Sequence, residues 1–162
     1  MLGCRRVPGE HFHPPQKLLD HNPQLSRLRQ SGDAEAQFRE ELRRAPDDPK
    51  ALAFLGDILL KNGNTQEAEA ELKQALQGDD KLAMARVDLG TIYSEKKNVN
   101  GAIEQFQAAI KNDPKRYDAH YKLARLYREL GRTAEADAEF AIVTKLHGEQ
   151  KAGPLMKVSG PQ

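Results

Sequence analysis

The chain has 162 residues, with 25 Lys and Arg against 24 Asp and Glu and 38% hydrophobic residues. That balance supports a folded core, and a net charge of +1 argues against a general nucleic-acid binder, which carries a marked basic excess. Five Phe, four Tyr and no Trp, dispersed along the chain, provide no stacking platform for bases. Cys4 is the single cysteine, so no intrachain disulfide can form and a reducing, cytoplasmic compartment is expected. No apolar run approaches the roughly 18 residues of a membrane span, so no membrane association is expected. The one exception concerns Leu2-Gly3-Cys4, which resembles the end of a lipoprotein signal: a native start upstream of Met1 would make the chain exported or lipid-anchored.

Residues 1–24, rich in Pro, His and Arg, read as an irregular arm. His11, His13 and His21 lie in it without a folded frame or further ligands, so no metal site is expected there. A helical period takes over near Leu25. Phe38 and Leu42, four apart, predict a helix over 34–44 that Pro46 ends. Asp48 before Pro49 suits an N-cap and first helical residue, and Asp113-Pro114 reads as the same device. Six further helices are predicted at 50–62, 65–77, 81–96, 99–111, 115–130 and 133–146. The short segments "KNGNTQ", "KKNVNG" and "LGRTAE" separate the members of each pair. Asn64 and Glu67 have capping-box spacing. From Gly148 the chain reads as a flexible tail, leaving 25–147 as the helical-repeat domain.

The pairs are copies of one pattern. "LGDILLKNGNTQEAEAEL" from Leu55 returns 34 residues later as "LGTIYSEKKNVNGAIEQF" and after another 34 as "LARLYRELGRTAEADAEF". Leu55, Leu89 and Leu123 head each copy, followed by the small residues Gly56, Gly90 and Ala124. On the second helix Ala68, Ala102 and Ala136 precede the large Leu72, Phe106 and Phe140 by one turn. Large residues against small ones at fixed spacing form a packing code, and burying each large side chain is worth about 1.5–3 kcal/mol. One pair cannot bury both of its faces, so the copies must stack.

The period of 34, the Leu-Gly…Tyr first helix and the Ala…Phe…Ala second helix ending in Asp-Pro resemble the tetratricopeptide repeat family. The resemblance covers residues 49–147 as three complete units, with Ala34, Phe38 and Pro46 in register as the second helix of a partial one. It departs where the family has a large aromatic near the start of each first helix: Leu52, Arg86 and His120 stand there instead. It implies an all-α, right-handed solenoid of antiparallel helix pairs, whose first helices line a concave groove that holds a peptide or a partner helix.

Residues 34 apart form ladders across that groove: Ala53, Val87, Tyr121; Phe54, Asp88, Lys122; Asp57, Thr91, Arg125; and Leu60, Ser94, Arg128. The groove residues expected to meet a partner are Phe54, Asp57, Val87, Asp88, Thr91, Tyr121, Lys122, Arg125 and Arg128. Their gradation from apolar and acidic to basic suits a ligand with apolar anchors and an acidic group near the third unit. The bland alternative is that these charges are ordinary solvated helix faces. Some family members clamp acidic chaperone tails with lysines, asparagines and an arginine. Here Ala53, Asp57, Asp88, Asp118 and Lys122 occupy those positions, and three carboxylates would repel such a tail.

No phosphate loop, dinucleotide fingerprint, His-Glu-x-x-His or Cys-x-x-Cys is present, so neither catalysis nor a cofactor is expected. His120 and His147 stand alone, and His120 reads as a structural histidine in a packing position. The sequence points to a non-enzymatic adaptor for a protein or peptide. The alternative is a structural or oligomerising segment of a longer array, self-associating through exposed repeat ends.

Overall fold

The computed structural model describes the backbone of residues 23–151 and the side chains of residues 32–149. The arm's Cys4, His11, His13 and His21, and the tail beyond residue 151, lie outside the described residues. Seven helices and no strand occupy the described chain: α1 (Pro23–Arg44), α2 (Pro49–Lys61), α3 (Thr65–Gly78), α4 (Ala83–Glu95), α5 (Val99–Asn112), α6 (Tyr117–Glu129) and α7 (Thr133–Lys151). The pairs α2–α3, α4–α5 and α6–α7 stack in order into a right-handed solenoid, and α1 packs on α2 as the leading half unit.

Within each pair the small residue admits the large one. A Cβ on Gly56 would come within 2.6 Å of Leu72 Cγ, and one on Gly90 within 2.6 Å of the Phe106 ring. Leu55, Leu89, Leu123, Leu72, Phe106, Ala68, Ala102 and Ala136 are all buried. Ala124 already carries the Cβ that the first two pairs exclude, and Phe140 opposite it stays half-buried. Two apolar clusters form, one centred on the first pair and one between the second and third, and Tyr93 packs against both. The core is therefore a continuous strip shared between neighbours rather than a centre belonging to any one pair.

The turn inside each pair is also repeated, in the backbone. Gly63, Lys97 and Gly131 share one register and all have positive φ, at 84°, 61° and 74°. The same register in the leading half unit falls on Arg29, where the chain is helical. Without a turn there, α1 continues as one 22-residue helix from Pro23 rather than the segment over 34–44. At the other end α7 passes through Gly148 to Lys151.

Three local expectations turn out differently. Asp48 does cap α2, its carboxylate accepting from the amides of Lys50 and Ala51. Asp79 and Asp113 instead accept from the amides of Lys81 and Lys115 two residues on, forming side-chain turns. The helices that follow therefore begin at Ala83 and Tyr117, two residues later than predicted. The Asn64–Glu67 capping box does not form: Asn64 makes no side-chain cap bond, and Glu67 pairs with Arg39 at 2.7 Å.

Lys97 is the one non-glycine residue of positive φ among the described residues, a conformation that costs an L-residue about 1–2 kcal/mol. Lys97→Gly should raise stability by about 1 kcal/mol in urea unfolding, offset in part by the greater freedom of the unfolded chain. A loss of stability would contradict this account of the turn.

Candidate functional site: the face of the first helices

The first helices α2, α4 and α6 lie side by side, and the ladder positions meet on one face because residues 34 apart occupy equivalent places. Asp57 on α2 is bound to Lys61 one turn on, at 2.6 Å. Asp88 on α4 lies between the charge of Asp57 on one side and that of Lys122 on α6 on the other. Its Oδ2 is buried and has no hydrogen-bond partner among the described residues. Burial first, then the Asp57 charge, push the Asp88 carboxyl up to about 7, while Lys122, Lys61 and Arg116 pull the other way.

Between the second and third pairs lies a cavity of about 190 Å³. Thr91, Ser94, Lys122 and Arg125 from the ladders line it, together with Glu95, Phe106, Leu126 and Glu129. The Thr91 hydroxyl donates to the Val87 carbonyl at 2.8 Å, which leaves its oxygen lone pairs toward other donors. Arg125 sits 3.6 Å from Glu129, and both are exposed enough to exchange partners readily.

Other ladder residues sit elsewhere. Val87 is buried beneath the third pair, as Ala53 is beneath the second, and offers a ligand no surface. Phe54 is 44% exposed, but its ring stacks on Phe38 of α1 at 5.3 Å between centroids. Tyr121 meets Phe140 edge-on at 6.0 Å, and the Arg128 guanidinium lies 5.0 Å from the same ring. These two therefore belong to an aromatic–arginine cluster on the third pair. The structure brings together Asp57, Asp88, Thr91, Lys122 and Arg125, and sets apart Phe54, Tyr121 and Arg128.

The ladders miss the cavity residues Glu95, Phe106, Leu126 and Glu129. For Glu129 a signal was available, because it follows Arg125 by the four residues that pair charges on a helix. Among the described residues no group of three or more His, Cys, Asp or Glu is placed to hold a metal ion. No described helix is long and apolar enough to cross a membrane. His120 is buried at 4% exposure, with one ring nitrogen against the Pro114 carbonyl in the turn before α6 and the other against Glu139 of α7.

Asp88 has a consequence for stability. Its folded pKa lies above the ordinary aspartate value of 3.8, so the folded state holds the proton more tightly than the unfolded chain. The stability it contributes is fully present below about pH 4 and is lost as pH rises through about 7. Asp88→Asn should remove that slope, and it should raise stability at pH 8 by about 1–3 kcal/mol, less than full burial would imply. The test is the difference in unfolding free energy between the two proteins from pH 5 to 8. A pH-independent difference would mean that Asp88 is solvated in the folded state.

A family model described as a tetratricopeptide repeat matches residues 24–83 and 87–145. Among solved structures, a MamA fragment from Desulfovibrio magneticus RS-1 is 24% identical, with TM-score 0.65, covering 85% of this chain and 77% of that chain. A second MamA structure is 25% identical, with TM-score 0.64 over 73% of this chain and 71% of that one. YrrB, described as a TPR protein with an unusual peptide-binding site, is 21% identical, with TM-score 0.61 over 73% of this chain and 61% of that one. No curated protein matches the chain. With the family model spanning both the half unit and the three complete pairs, the chain belongs to the tetratricopeptide repeat family.

Proposed function

We propose that the protein is a non-enzymatic adaptor that binds a peptide or helical segment of a partner protein along the face of α2, α4 and α6. The observation that carries this reading is the junction between the second and third pairs. There Thr91, Lys122 and Arg125 converge on a cavity of about 190 Å³ with Phe106 and Leu126 in its lining. An apolar lining beside a few convergent polar groups is the usual composition of a recognition site. Lys122 and Arg125 favour a carboxylate of the ligand that takes the place of Glu129 beside Arg125 and keeps clear of Glu95, and the apolar lining favours a neighbouring aliphatic or aromatic anchor. On the far side of Lys122, Asp88 and Asp57 disfavour a second carboxylate, so the ligand's charge must be placed asymmetrically. The shared fold of YrrB supports the capacity of such a scaffold to hold a peptide.

A second reading, self-association through the ends of the array, is favoured by Tyr117 and Tyr121, which are 51% and 45% exposed. The equivalent positions one pair earlier, Ala83 and Val87, are buried by the neighbour that follows them. Tyrosines left in that position are the residue type enriched at protein contacts.

The test is affinity capture with the wild-type protein and a Lys122→Glu, Arg125→Glu variant that retains its helical circular dichroism. The reading expects a partner held by the wild type and lost by the variant, with affinity reduced about tenfold or more. A partner held equally by both would move binding away from this cavity. A mass that grows with concentration and no captured partner would favour association through the ends.

A further inference from the structure

The three first helices carry Leu52, Arg86 and His120 in one register, and the second and third of these do the same task with different chemistry. Arg86 Nε donates to the Asp80 carbonyl at 2.9 Å, and its Nη1 donates to Gln105 Oε1 at 3.3 Å. His120 Nε2 meets the Pro114 carbonyl at 3.1 Å, and its Nδ1 meets Glu139 Oε2 at 2.5 Å. In both pairs a nitrogen-bearing side chain ties the carbonyl of the preceding turn to a polar side chain on the second helix. Asp80 and Pro114 are 34 residues apart, as are Gln105 and Glu139. Each polar clip thus holds three equivalent positions.

The first pair has the two acceptors but not the donor. Pro46 supplies the turn carbonyl and Glu71 the second-helix carboxylate, while Leu52 between them can donate nothing. Neither acceptor has a hydrogen bond among the described residues. Glu71 is half-buried, and its desolvation, with the nearby Glu67, raises its pKa. Arg39 is the counter-charge facing it, but that guanidinium is already tied to Glu67 at 2.7 Å and Glu35 at 3.1 Å. What remains is an open cleft of about 440 Å³ between α1 and α3, lined by Leu42, Pro46, Leu52, Glu71 and Gln74 together with Arg39 and Arg43.

We propose that this cleft receives an arginine side chain from a partner protein, whose guanidinium completes the clip that Leu52 leaves open. The fork would span the Pro46 carbonyl and the Glu71 carboxylate as Arg86 spans the Asp80 carbonyl and Gln105. Its methylenes would lie on Leu42 and Leu52, burying the stem while the charged head finds its acceptors. Arginine fits better than lysine because its planar donors reach two acceptors at once. An anionic ligand is the competing occupant, since Arg39 and Arg43 lie at the cleft. Their charges are matched within the chain, by Glu35 and Glu67 for Arg39 and by Glu40 for Arg43 at 2.9 Å. The cleft lies on the side of the second helices and is independent of the groove on the first helices.

The experiment is an amide-resolved NMR titration of the ¹⁵N-labelled protein with a capped Leu-Arg-Leu peptide, and with capped Leu-Glu-Leu as its counterpart. The arginine peptide should give saturable shifts confined to α1, the start of α2, and α3. Glu71→Met, which keeps the length and helical preference of the side chain but removes the acceptor, should weaken that binding about tenfold. Leu52→Arg should supply the donor internally and abolish the response; if that variant does not fold, Glu71→Met decides alone. An equal or stronger response to the glutamate peptide, shifts unaffected by Glu71→Met, or no saturable shift with the wild type would each overturn the proposal.

Discussion

Each pair of helices is held by one close approach, in which a first-helix residue with little or no side chain accepts the bulk of a second-helix Leu or Phe. At Gly56 and Gly90 the approach leaves no room for even a methyl group. This contact fixes the distance between the two helices, and the angle of their crossing follows from how the large residue fills the gap. Because each pair then has a second apolar face to cover, the next pair must dock on it, and the 34-residue spacing turns that docking into a regular stack. The groove is a by-product of this regularity: the first helices lie side by side, so any position that does not pack is repeated as a row across their face.

The division between packing and non-packing positions explains how one scaffold carries different chemistry in each copy. Leu55, Leu89 and Leu123 are interchangeable and buried. Asp57, Thr91 and Arg125 occupy a row outside the buried core, where packing does not fix their identity, and they differ in charge and size. The register of Leu52, Arg86 and His120 lies between these extremes. It is buried or nearly so, yet two of its members are polar because a turn carbonyl and a second-helix side chain supply partners for them. A buried polar group held on both sides fixes the turn against the second helix, and its replacement by leucine leaves both partners open to another donor.

Much of the architecture was legible in the sequence, since the period, the helix pairs and the large-and-small code are all carried by residues that repeat. What was not legible depends on neighbours far along the chain. Val87 and Tyr121 share a register, yet one is buried and the other exposed, because among the described residues only the first has a pair stacked on it. Asp88 reads as one polar ladder member among several, and its raised pKa comes from burial and from the Asp57 charge on α2, opposed by Lys122 on α6. The Asn64–Glu67 spacing promised a cap, but Arg39, 28 residues before Glu67, claimed that carboxylate. The length of α1 follows from an absent feature, a left-handed turn at Arg29, which no local helix signal announces.

The central claim is that stability resides in the stacking of neighbours rather than in any single pair. Native-state hydrogen exchange resolved by amide tests it most directly, since exchange reports the free energy of local opening. The account predicts the slowest exchange in α4 and α5, which are covered on both sides, with faster exchange in α1 and α7 at the ends. Uniform protection along the chain, or the strongest protection in α1 or α7, would contradict it.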